Sequence, residues 1–172
     1  QHFVADLPPG SLVNKLAKRF QETNGNIRDV LQTLFNSPEF WNEKYYRSKF
    51  KTPYQYIISA ARATGTDKPK WGTIKGILEQ LGMKLYACKT PDGYKNTREA
   101  WLNPDAMMRR ISFATNISRG HLNQGKPKPI DRQQLRATLG NNFSAQTQAV
   151  ISNSPNGLQA ALILGSPEMM EK

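Results

Sequence analysis

The chain has 172 residues and a formal net charge of +11, from 24 Lys and Arg against 13 Asp and Glu. One cysteine excludes an internal disulfide framework and a Cys-rich zinc site, and two histidines leave little for a His-based metal centre. Apolar residues make up 38% with no run long enough to cross a bilayer, yet this length buries a core without disulfides or metals.

The elements follow in chain order. Leu12, Val13, Leu16, Ala17 and Phe20 form one helical face after Ser11, and Ile27, Val30, Leu31, Leu34 and Phe35 form a second after Asn26. A capping residue followed by proline then recurs at Ser37-Pro38, Thr52-Pro53, Asn103-Pro104, Ser154-Pro155 and Ser166-Pro167. Ser, Thr or Asn at the N-cap accepts a bond from a free helix N–H. Proline at the first helical position lacks an N–H that would go unpaired anyway. Tyr54, Ile57, Ile58 and Ala61 make the face after Pro53, and Ile74, Ile77, Leu78 and Leu81 end at Gly82, a C′ glycine. Ala106, Met107, Arg110, Ile111 and Ala114 carry a longer helix from Pro104 towards Ser118. Asp131 with Gln134 reads as a capping box before Leu135 and Leu139, stopped at Gly140; Ala145 to Ile151 and Leu158 to Leu164 complete the set.

Strand-type alternation is confined to Lys84 to Cys88. Two segments read as long loops: 84–96, with the turn signal Pro91-Asp92-Gly93, and 120–130, with Gly125, Pro127 and Pro129 among lysines. The expectation is an all-α fold, a multi-helix globular domain of seven to nine short helices with two long loops, spanning residues 1–172. Residues 34–40 and 163–169 echo one another, as a reused helix–cap–helix joint.

The charge is uneven. Residues 52–130 hold 13 basic and 5 acidic side chains. Lys68, Lys70, Lys75, Lys89, Lys95, Arg109, Arg110, Lys126 and Lys128 are the candidates for binding a polyanion. The alternative is a solvated basic face, since no basic run exceeds two. The densest chemistry lies at Asp92, Tyr94, Arg98, Glu99 and Trp101. These could line a ligand pocket, with a carboxylate as acid or base and Arg98 as an anion clamp. Equally, Tyr94 and Trp101 could pin the loop to the helices. His121 reads as an imidazole at a helix C-terminus, and Cys88 beside Lys89 as a weak thiolate candidate. The strip from Tyr45 to Tyr54 interleaves aromatic and basic residues, as a base-stacking surface or a connector with snorkelling side chains. Zincin, P-loop, nucleophile-elbow, dinucleotide and EF-hand motifs are absent from the sequence, and no metal or cofactor is expected.

Several stretches together carry a family resemblance. They are His2-Phe3-Val4 with Pro8-Pro9, residues 34–41 (Leu-Phe-Asn-Ser-Pro-Glu-Phe-Trp), residues 51–56, Pro91-Asp92-Gly93-Tyr94, residues 99–104, residues 110–114, and the closing residues 164–168. In order and spacing the chain resembles the C-terminal half of the bacterial "domain of unknown function 1800" family. Tyr86 to Thr90 departs from the glycine, tryptophan and proline run that members often carry there. The resemblance implies a larger, largely helical, usually exported protein, periplasmic or extracellular, with the remainder upstream of Gln1. It names no reaction. The expected function is a non-catalytic helical module of an envelope or extracellular protein. Its partners would be the missing N-terminal half, covering Leu7, Val13, Phe20 and Trp41, and an anionic envelope polymer. The alternatives are part of an enzyme completed by upstream residues, with Asp92, Arg98 and Glu99 contributing, and a polyanion- or nucleic-acid-binding module, nucleic acid being the least favoured partner.

Overall fold

Thr52 and Pro53 show how this chain starts a helix. The Thr52 hydroxyl accepts from the Gln55 N–H at 3.3 Å, the Gln55 side chain accepts from the Thr52 N–H at 3.1 Å, and Pro53 takes the first helical position. In the computed structural model, which describes residues 1–140 and 142–172, the Asn103 and Ser166 side chains also cap proline-initiated helices, accepting from the Ala106 and Met169 N–H groups. The helices are α1 (Gly10–Glu22), α2 (Ile27–Phe35), α3 (Pro53–Ala63), α4 (Trp71–Gln80), α5 (Arg98–Trp101), α6 (Pro104–Ser118), α7 (Arg132–Leu139), α8 (Ala145–Ser152), α9 (Asn156–Leu164) and α10 (Pro167–Met170). A 3₁₀ turn covers Glu43–Tyr45. Among the described residues there is no strand, and the fold is all-α. Residues 84–88, the one strand candidate, are irregular.

Some helix starts differ from the expectation. Ser37-Pro38 opens only a turn, because the Ser37 hydroxyl donates back to Leu34 O at 2.6 Å. Ser154 likewise turns back to Val150 O, leaving Pro155 at the N-cap of α9 with no side-chain bond. Helix α1 begins at Gly10, one residue before Ser11. At α7, Asp131 accepts from the Gln133 N–H, so the cap forms one residue earlier than a capping box requires. At α4 the expected ending holds. Gly82, at φ +80°, donates to Glu79 O, and Met83 donates to Leu78 O: the paired bonds of a Schellman stop.

The described chain divides into two compact units, residues 1–49 with Lys172 and residues 50–171. In the first, α1 packs on α2 around Val4, Ala5, Leu12 and Leu34. Asp6 pairs with the nearly buried Lys49 at 2.6 Å. Leu7, Val13, Phe20 and Trp41 stay 87%, 48%, 48% and 72% exposed.

In the second unit α6 packs along α9, and α3 touches α4, α6, α7 and α10. Tyr56, two residues on from the expected face residue Tyr54 and so on the opposite side of the helix, is the buried tyrosine; Tyr54 is exposed. The Tyr56 ring meets Phe113 edge-to-face at 5.7 Å, and its hydroxyl donates to Leu164 O at 2.9 Å. The two ends of this unit meet: Phe50 bridges Glu171, and the Lys51 N–H donates to Met170 O at 2.7 Å. The sequence echo is a shared joint. Ser37 N bonds Leu34 O and Phe40 N bonds Ser37 O; Ser166 N bonds Ile163 O and Met169 N bonds Ser166 O. Both serines are buried. Among the described residues no helix is long and apolar enough to cross a membrane.

Candidate functional site

The 91–94 turn is held from both sides. The Tyr94 hydroxyl donates to Lys84 O at 2.7 Å, across the mouth of its own loop. The Trp101 indole N–H donates to Lys95 O at 2.7 Å, while its ring is buried and lies 6.1 Å from that of Tyr94. Arg98 pairs with Glu171 at 2.5 Å and stacks over the Phe50 ring. These bonds use the polar handles of Tyr94, Arg98 and Trp101 to fix the loop. Asp92 pairs with Lys95 at 2.6 Å, both side chains being exposed. Bonds from Lys95 and then Thr90 pull its carboxyl down to about 2. Such a carboxylate is a weak proton acceptor at neutral pH and no proton donor. Glu99 is exposed on the first turn of α5.

The lysine candidates separate by location. Lys89 and Lys95 belong to the 84–96 loop, Lys95 being committed to Asp92. Arg109 pairs with Asp105 one turn earlier on α6. Arg110 leaves the candidate surface altogether, because it is completely buried. Its guanidinium lies 4.5 Å from the Phe50 ring and 4.9 Å from the Tyr56 ring, and Nη2 donates to Lys51 O at 2.8 Å. Nε and Nη1 find no hydrogen-bond acceptor among the described residues. Burial lowers its pKa to about 10, so the group stays charged at neutral pH.

Backbone pairing fastens the segment that holds Lys68 and Lys70 to the 120–130 loop, which holds Lys126 and Lys128. The Lys70 N–H donates to Leu122 O at 2.8 Å, the Gln124 N–H donates to Lys68 O at 2.9 Å, and Pro69 bridges Asn123. The same loop closes on the end of α6, where the Ile130 N–H donates to Ser118 O at 2.8 Å. Gly120 lies so close to Lys128 that an added Cβ would sit 2.1 Å from Lys128 O. The loop is thus fastened to the segment before α4 and to the end of α6, with Lys68, Lys126 and Lys128 exposed and Lys70 half-buried. Lys75 is exposed on α4, four residues after its first residue.

Sequence reasoning passed over Trp71. It opens α4 next to Lys70, four residues before Lys75, and is 63% exposed. An apolar residue set between lysines at the head of an amphipathic helix was the available signal. Arg119 and His121 are also exposed on the loop's first residues, where Gly120 and His121 close α6 through bonds to Ile117 O and Asn116 O. Cys88 is half-buried, 3.7 Å from the Thr90 hydroxyl. Among the described residues no three His, Cys, Asp or Glu side chains gather as a metal site.

Residues 1–171 match the model of a family described as "Protein of unknown function (DUF1800)". No curated protein and no solved structure matches the chain.

Proposed function

Because the chain belongs to the DUF1800 family, with no reaction attached to that membership, we propose that it acts as a non-catalytic helical docking module of an exported envelope or extracellular protein. Its basic surface at residues 68–75 and 119–128 binds an anionic polymer of the envelope. The observation that supports this reading is the pairing of residues 68–70 with 122–124, which fastens the segment of Lys68 and Lys70 to the loop that carries Lys126 and Lys128. Gathered cations raise the local concentration of a polyanion, and each contact releases counterions. The fixing of Tyr94, Arg98 and Trp101 in loop-closing bonds favours a structural role for the 91–94 turn over a catalytic one.

The test is a salt titration of polyanion binding by the chain and by a variant with Lys68, Lys70, Lys126 and Lys128 all replaced by glutamine. The log–log salt slope of the variant should be shallower by roughly one unit for each lysine that contacts the polymer. An unchanged slope, or no binding at low salt, would overturn the reading.

A second partner, the upstream half of the same protein, is supported by the exposure of Leu7, Val13, Phe20 and Trp41 in the first unit. An open groove along α2, lined by Arg28, Leu31, Gln32, Phe35 and Asn36, adds to this surface. The chain alone should bind a hydrophobic dye, and the upstream polypeptide supplied separately should remove that binding and co-elute with the chain. Two separate peaks with dye binding intact would refute this partner.

A further inference from the structure

Trp71 gives the basic surface a chemical preference that charge alone lacks. Its indole is 63% exposed and stands between Lys70, which precedes it, and Lys75, one turn further along α4. Gly72 and Gly76 repeat the same four-residue step one position on. A Cβ at either glycine would meet nothing within 4 Å, so no contact inside the chain requires glycine there. Beside the indole, α4 therefore presents a strip of bare backbone.

We propose that the polymer bound here is an acidic polysaccharide, with one sugar ring stacked on Trp71 and its carboxylate or sulfate groups on the surrounding lysines; this rests on the basic-surface reading above. The face of an indole carries partial negative charge and attracts the polarised C–H bonds on the flat side of a pyranose. The absent Cβ atoms of Gly72 and Gly76 let the neighbouring ring approach the helix. Other polyanions fit less well. Inorganic polyphosphate has no face to stack. Single-stranded nucleic acid is held by successive aromatic platforms, and duplex readout needs base-edge donors on a helix face, where α4 carries Lys75 and glycines. A bilayer calls for a broad apolar face rather than one indole among lysines.

The experiment compares binding of alginate, heparin, long-chain polyphosphate and oligothymidylate at one ionic strength. It uses the whole chain, Trp71→Ala, the paired variant Gly72→Ala with Gly76→Ala, and the four-lysine variant, with folding checked by circular dichroism. Trp71→Ala should weaken polysaccharide binding about tenfold, the scale of one lost stacking contact, and leave polyphosphate binding unchanged. Trp71→Phe should restore part of the loss. The glycine pair should raise the melting temperature, because alanine favours helix, while weakening the polysaccharide alone. Equal polysaccharide affinity in wild type and Trp71→Ala would overturn the inference and leave the basic-surface reading standing. Tighter, Trp71-dependent binding of oligothymidylate would overturn it in favour of nucleic acid. Failure of the wild-type chain to bind any of the four would overturn both.

Discussion

Gly120→Ala is expected to destabilise the second unit by about 3 kcal/mol, from backbone strain together with a clash that no side-chain rotation can relieve. Gly120 has φ +81°, a region that costs an L-residue energy. Its added Cβ would lie 2.1 Å from Lys128 O and 2.6 Å from Lys128 N. Either the paired bonds that end α6 must open or the 120–130 loop must lift. Lifting would break the Ile130 to Ser118 bond and expose Leu122, now 3% exposed. Gly82 supplies the control. It has a matching φ of +80° but nothing within 4 Å of its added Cβ, so Gly82→Ala should cost only about 1 kcal/mol of conformational strain. Urea unfolding of the two variants measures the difference. Equal midpoints would mean that the loop does not rest on Gly120. Where Gly120→Ala still folds, its polyanion affinity should drop, since Lys126 and Lys128 move with the loop.

Arg110→Ala should cost about 3–5 kcal/mol, as truncation of a large buried side chain does. The change removes stacking on Phe50 and Tyr56, leaves a cavity, and removes the bond to Lys51 O. Arg110→Met should cost less than about 1.5 kcal/mol, because methionine fills much of the same volume against the rings and removes a desolvated charge. Nε and Nη1 have no acceptor to lose among the described residues. Chemical denaturation of both variants checks the order; a methionine variant as unstable as the alanine one would show that the charge itself stabilises the fold. Polyanion binding by Arg110→Met should equal wild type, since a buried guanidinium meets no polymer.

Local chemistry made most helix starts and stops legible. Thr52, Asn103, Ser166 and Asn26 cap where short-range hydrogen bonding dictates, and Gly82 stops α4. The misreadings at Ser37 and Ser154 share one cause: each hydroxyl had two backbone partners available, and the carbonyl behind won over the N–H ahead. Arg110 lay on the apolar face of its helix, and its type suggested a surface. What buries it, Phe50 and Tyr56, is distant in sequence, and no local pattern reports such a stack. The charge excess of residues 52–130 was countable. A single bridge between Pro69 and Asn123 has no alternation to betray it, and it fastens the segment of Lys68 and Lys70 to the 120–130 loop. The 91–94 turn was legible as a turn with two candidate roles. Only the hydrogen bonds of Tyr94 and Trp101 show where its polar groups are spent.

The meeting of Phe50 and Lys51 with Met170 and Glu171 bears on how the second unit is made. Lys51 Nζ also reaches Met169 O, across a separation of 118 residues. A ribosome releases the first partner long before the last, so the seam closes only when the final helix has emerged. Closing a flexible loop of that length costs on the order of 4 kcal/mol of chain entropy, which the intervening helices must offset by packing first. The unit therefore differs from a stack of repeats that could grow one helix at a time. Until α10 arrives, Arg98 lacks Glu171, and Phe50 lacks the backbone that flanks it. Synthesis leaves the nascent unit open at this seam, and its completion is a single late event.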